Sequence, residues 1–195
     1  MPSVTTTFTT FAEEDRAGSI GGVDTEDWND PGNAQSNDAA RAAWSTSVFP
    51  PWNGYTVYLT AKQLTDLVPG GAVIEGVRAT IVKRKSASGS GTWQDSAVFL
   101  IVGGTVQTGT NKATTTAYTT SDAGETYGDP TDKWGLALSA ADVNGAGFGV
   151  ALSCGIAGAG FGDTDVPQIN AVTVEVFYSL PTGAKGDLML TGSGD

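Results

Sequence analysis

From Gln168 to Tyr178 the chain alternates with a period of two. Val172, Val174, Val176 and Tyr178 fall on one side of an extended backbone, and Thr173 and Glu175 on the other. Successive side chains of a strand point to opposite faces, so this spacing describes a strand with one buried face. Other segments that read as extended recur at Val4–Phe11, Tyr55–Thr60, Ala72–Lys85, Trp93–Val102, Thr105–Gln107, 113–119 and Phe148–Cys154. In Ala72–Lys85 the residues Val77, Ala79 and Ile81 make one face, with Arg78, Thr80 and Lys83 breaking the other side. Gly, Pro, Asn and Asp punctuate these runs, and Gly103-Gly104 reads as a hairpin turn. Helix is confined to short turns: 38–44 capped by Asp38, 61–68 stopped by Pro69-Gly70-Gly71, and a capped turn at Ser139–Asp142. The 27 Gly and 26 Thr agree, since Gly serves turns and the branched Cβ of Thr suits strands. The expectation is an all-β fold. It is an antiparallel β-sandwich of jelly-roll type over 28–180, with an extended N-terminal arm at 1–27 and a Gly-rich C-terminal tail at 181–195.

Charge and residue absences narrow the function. Ten basic against 21 acidic residues leave a formal charge of −11, which repels phosphate backbones and anionic lipid surfaces. Neither nucleic acid nor membrane is therefore an expected partner. No run approaches the about 18 apolar residues of a membrane span, and the opening Met1-Pro2-Ser3-Val4-Thr5 lacks the pattern of a signal peptide. With one cysteine, Cys154, the chain cannot form an intrachain disulfide, which suits synthesis in a reducing cytoplasm. There is no histidine, which removes Ser-His-Asp and Cys-His machinery and most zinc sites. No cofactor and no enzymatic activity are expected, although carboxylates alone could still catalyse.

A set of motifs runs through 28–178 in a fixed order. Trp28-Asn29, Pro31 and Asn33 open it, followed by Asp38-Ala39-Ala40 and by Ile74-Glu75-Gly76-Val77 at the head of a long strand. Then come Asp95 with Val98–Val102, Gly109-Thr110-Asn111-Lys112-Ala113, and Tyr127-Gly128-Asp129-Pro130-Thr131-Asp132-Lys133-Trp134-Gly135. Asp142-Val143-Asn144 and Phe148-Gly149-Val150 precede the closing strand. This order resembles a β-sandwich domain of tailed-phage virion structural proteins, of the capsid decoration or tail-fibre type, found also in bacterial surface proteins. The chain departs from the pattern where an Asp precedes the last strand, a place matched only loosely by Asp163 or Asp165. The resemblance implies a virion structural or attachment module and brings no catalytic residues.

The expected function is a capsid decoration (cement) protein that binds and stabilises the assembled head. Its partners would be the major capsid protein or other virion proteins and itself, as a homotrimer, and its location the virion. The alternative is a tail-fibre or receptor-binding module for host surface carbohydrate. Val4, Phe8, Phe11, Trp28, Trp44 and Trp52 are the expected partner-binding residues, being apolar side chains in an arm and in loops with little to pack against. Trp93 and Trp134 read as core plugs and Cys154 as a buried small hydrophobe. Lys83-Arg84-Lys85 reads as an exposed strand end, with an anion site as the other reading. Among the acidic pairs Asp24/Asp27, Asp122/Glu125, Asp129/Asp132 and Asp163/Asp165, the last is the calcium candidate, set against ordinary turn chemistry.

Overall fold

The computed structural model describes residues 1–16, 28–44, 54–87, 89–158 and 165–181. Its elements in chain order are β1 (Ser3–Glu14), β2 (Trp28–Asn29), a 3-10 turn at Pro31–Ala34, β3 (Ala42–Trp44), β4 (Gly54–Tyr55) and β5 (Tyr58–Leu64). There follow β6 (Val73–Lys85), β7 (Thr92–Val102), β8 (Thr105–Val106), β9 (Ala123–Tyr127), α1 (Ala140–Asn144), β10 (Gly149–Ala157) and β11 (Pro167–Ser179). Among the described residues all strand pairings are antiparallel. One sheet has β11 at its centre, with β6 and then β9 on one side and β1 and β3–β2 on the other. The second runs β1–β5–β10–β7–β8, with β4 continuing the β5 edge against β10. The all-β sandwich expected from period-two patterning is the fold.

β1 belongs to both sheets. Ser3–Thr7 pairs with Phe177–Thr173 of β11, and Phe8–Glu14 pairs with Leu64–Tyr58 of β5. Phe8 sits at the crossover and is fully buried. The segment is extended, as its Thr-rich alternation implies, but as far as Glu14 it is a paired strand of the body rather than a free arm. A strand that changes sheet closes one seam of the sandwich, since its backbone groups are satisfied on both sides of the corner.

The closing strand keeps the expected register. Val172, Val174 and Val176 are buried, and Thr173 and Glu175 are half-buried. Tyr178 packs against the core only in part, beyond a register shift between Phe177 and Tyr178 that ends the simple alternation. Other local expectations change. Residues 61–64, read as the start of a helix, continue β5, because β1 and β10 flank that strand and take its backbone hydrogen bonds. The expected helical turn at 38–44 is replaced by bends and β3, where Ala42 and Ala43 pair with β11. Segment 113–119 carries no strand. It is nonetheless stitched to both sheets, with Lys112 N donating to Val98 O (3.0 Å), Tyr118 N to Trp93 O (2.8 Å) and Lys85 N to Thr119 O (2.8 Å).

The ordered motifs meet in space as braces. Gly76 lies against the backbone of Asp129 and Pro130, where an added Cβ would come within 2.4 Å of Pro130 C. The next residue, Val77, accepts from Trp134 Nε1 (2.9 Å) through its carbonyl, while its N–H donates to Asp132 O (2.9 Å). Asn111 Oδ1 accepts from Val98 N (2.9 Å) and Ala113 N (3.0 Å), and Asn111 Nδ2 donates to Ser96 O (3.1 Å). Ser139 and Asp142 form the expected capping box of α1, and Asn144 exchanges two hydrogen bonds with the backbone of Val68.

Two outcomes test this frame. Gly128 has φ +79°, and an added Cβ would lie 2.3 Å from Val77 O, so Gly128→Ala should lower stability by about 1–3 kcal/mol or more in denaturant unfolding. Phe8→Ala should cost about 3–5 kcal/mol by the same measurement, whereas a Phe8 in a free arm would cost nothing.

Candidate functional site

The most unusual place in the core is a cluster of polar side chains between the sheets. Alternation along β6 puts Lys83 on the same face as Val77, Ala79 and Ile81, so the basic run does not begin at an exposed strand end; the Lys83 side chain is 4% exposed. This corrects the sequence reading, which set Lys83 on the opposite face. β9 lies beside β6 with Glu125 opposite Ile81 and Tyr127 opposite Ala79, which points both inward. Asp95 arrives from β7 in the facing sheet. On an unbroken strand Asp95 would share the outer face with Ala97, Phe99 and Ile101. The ladder with β10 pairs Ser153 with Ala97 but Cys154 with Asp95, so Ser96 is an extra residue and the bulge turns Asp95 into the core.

Around Lys83 the distances are short. Its Nζ donates to Asp95 Oδ1 (2.7 Å) and Oδ2 (2.8 Å), and lies 2.6 Å from Glu125 Oε2. Tyr118 donates its hydroxyl to Asp95 Oδ1 and Tyr127 donates to Oδ2, both at 2.7 Å. Thr114 Oγ1 donates to Glu125 Oε1 (2.7 Å). Tyr118 OH also lies 3.2 Å from Cys154 Sγ. A cleft of about 250 Å³, lined by Lys83, Thr116, Tyr118, Gly124 and Glu125, reaches the cluster from the β9 side.

The electrostatics follow from burial and from these contacts. Burial pushes the Tyr118 hydroxyl well above its ordinary value, and nearby Cys154 and Asp95 push it further. Tyr127 is raised by burial and by Asp95. Both phenols are thereby kept as donors. Burial likewise pushes the Cys154 thiol up to about 12. Burial also opposes ionisation of Glu125, but hydrogen bonds from Lys83 and Thr114 outweigh it and hold the carboxyl below its ordinary 4.5. One ammonium thus faces two carboxylates, of which Asp95 is fully buried and Glu125 is partly exposed at the cleft.

Most of the expected partner-binding residues are spoken for inside the fold. Phe8, Trp28 and Trp44 are buried, and Trp28 and Trp44 pack edge to face at 5.8 Å. Trp28 Nε1 also donates to Val57 O (3.2 Å). Their apolar surface is used by the core, so these three cannot present it to a partner. Val4 and Phe11 are partly buried against the same core, and Trp52 lies outside the described residues. Trp93, Trp134 and Cys154 are buried as expected. Asp165 is buried with its carboxylate 3.0 Å from Lys85 Nζ, which removes it as a free calcium ligand; Asp163 lies outside the described residues. Asp122 pairs with Arg41 at 2.5 Å, Asp129 accepts from Thr131, and Asp132 accepts from Trp134 N and pairs with Lys112. Asp24 and Asp27 lie outside the described residues. Among the described residues no group of three or more Cys, Asp or Glu could hold a metal ion, and no helix is long and apolar enough to cross a membrane.

The sequence signal for the cluster was present but divided. Asp95 and Tyr127 belong to the ordered motifs, whereas Lys83 and Tyr118 do not, and only the bulge aligns Asp95 with Lys83. Lys83→Ala should destabilise the protein by about 3–5 kcal/mol in denaturant unfolding, because it strands the buried Asp95 carboxylate. The raised Tyr118, Tyr127 and Cys154 bind protons in the folded state that the unfolded chain releases. Stability should therefore fall as pH rises past 9.0 and then 10.0, the ordinary values of Cys and Tyr. In an ultraviolet titration two of the five tyrosines should ionise only as the protein unfolds. Comparison with protein-family models returns no match for this chain, and comparison with curated proteins returns none either.

Proposed function

We propose that this protein is a tailed-phage virion structural protein, and within that class a capsid decoration protein that binds the assembled head and ties neighbouring subunits together. The observation that carries the reading is the use made of the ordered motifs. Trp28, Gly76, Asn111, Asp132, Trp134 and Asn144 brace one strand or loop against another. A module whose work is mechanical needs this kind of investment, since load on a bound sandwich is carried by the contacts between its strands.

Attachment must use a surface other than the one expected from sequence, because Phe8, Trp28 and Trp44 are buried. The exposed large apolar residues among those described are Met1, Leu67, Val73 and Leu180. Val73 pairs opposite Ser179, and Tyr178 N donates to Pro2 O, so Met1, Val73 and Leu180 share one end of the sandwich. Leu67 lies in the connection between β5 and β6, which leads to Val73 at that end. This end is the surface we assign to the shell and to neighbouring copies in a homotrimer.

Co-sedimentation with empty heads, followed by electron cryomicroscopy of the decorated particle, tests the reading. The expected result is density on the shell at threefold positions, with light scattering giving a trimer. Val73→Ser with Leu180→Ser should cut head occupancy several-fold while leaving the circular dichroism spectrum unchanged. Density confined to the tail, or retention on host glycans without head binding, would instead place the protein as a receptor-binding module.

A further inference from the structure

We propose that Lys83 and Asp95 condense into an intramolecular isopeptide bond that joins the two sheets, with Glu125 carrying the protons. The geometry has each component such a reaction needs. The Lys83 amine is held against both oxygens of the Asp95 carboxyl, at 2.7 and 2.8 Å, so the reacting groups are already in contact. A second carboxylate, Glu125, touches the same nitrogen at 2.6 Å. Tyr118 and Tyr127 each donate to one oxygen of Asp95, which is where charge gathers when an amine adds to a carboxyl carbon.

The step balances without any co-reactant. Glu125 takes a proton from the Lys83 ammonium and frees its lone pair. The nitrogen attacks Asp95 Cγ and the C–N bond forms, with the negative charge on the oxygens held by the two phenols. Glu125 passes its proton to one Asp95 oxygen, takes a second from nitrogen and delivers that to the same oxygen. The C–O bond breaks, water leaves, and Glu125 ends as it began. The two protons lost from nitrogen are those in the departing water. The cleft lined by Lys83 and Glu125 gives the water a way out. Condensation also removes one positive and one negative charge from an interior that solvates neither, so burial favours the amide over the ion pair. The Lys112–Asp132 and Lys62–Glu14 pairs lack this drive, with side chains 28 and 19% exposed in the first and 22 and 31% in the second.

Intact-mass spectrometry on the full-length folded protein, read under denaturing conditions, tests the proposal. The expected mass is one water below that of the same chain unmodified, and peptide mapping should yield a branched peptide joining Lys83 to Asp95. Lys83→Arg, which keeps the positive charge but offers no condensing amine, should give the full mass. Asp95→Asn should lose one ammonia in place of one water, because the same attack then expels the amide nitrogen. Glu125→Gln should form the bond many-fold more slowly. A wild-type protein that stays at full mass through prolonged incubation, with circular dichroism confirming the fold, would overturn the bond. So would a water loss that persists in Lys83→Arg. Condensation of Glu125→Gln at the wild-type rate would overturn the role given to Glu125.

Discussion

β6 runs for thirteen residues and keeps its ladder with β11 from Val73 to Lys85, and most other features of the molecule are placed by that ladder. It holds Gly76 beneath the Asp129–Pro130 turn and aims the Val77 carbonyl at the Trp134 indole. It aligns β9 so that Glu125 and Tyr127 face inward. Six residues beyond Val77 on the same face, it delivers Lys83 to the centre of the sandwich. A slip of one residue would send Lys83 to solvent and Arg78 into the core, and the apolar face would go with it. The register is thus over-determined, by the valine face of β11 and by the charge that must find its carboxylates.

The two seams of the sandwich are closed by different means. One is closed by β1, whose first half pairs with β11 and whose second half pairs with β5. The other is spanned by segment 109–119, which bonds to β7 through Asn111, Lys112 and Tyr118 and to β6 through Thr119. Neither device leaves a long row of unpaired backbone groups, the usual hazard of an open sandwich edge. The Lys83, Asp95, Glu125 and tyrosine cluster lies at this second seam, to which Tyr118 belongs, and ties the facing sheets directly. The motif residues and the cluster therefore both join one layer or strand of the sandwich to another.

What alternation along single strands dictates was legible in the residues. The all-β class, the valine face of β11, the Gly103-Gly104 turn, the cap of α1 and the burial of Trp93, Trp134 and Cys154 all follow from local rules of period, turn chemistry and hydrophobicity. Those rules act between near neighbours, so a sequence carries them openly. Segment 61–64 shows their limit: Ala61, Lys62, Gln63 and Leu64 suit a helix, and only the flanking β1 and β10 make them a strand.

The tertiary structure alone decided which apolar residues are core and which polar ones are buried. Phe8, Trp28 and Trp44 resemble partner-seeking residues in a loop-rich stretch until β1 is seen to enter the body and Val57 to accept from the Trp28 indole. Asp95 belongs by simple alternation to the outer face, and one bulged residue, Ser96, turns it inward. Lys83 shared its face with valine and isoleucine all along, but a lysine at such a position reads as a strand end until its counter-charges are placed. Those counter-charges come from β7 and β9, twelve and 42 residues further along the chain. Alternation along single strands establishes that the chain folds as sheets. The meeting of one ammonium with two carboxylates and two phenols depended on long-range register, which no local pattern encodes.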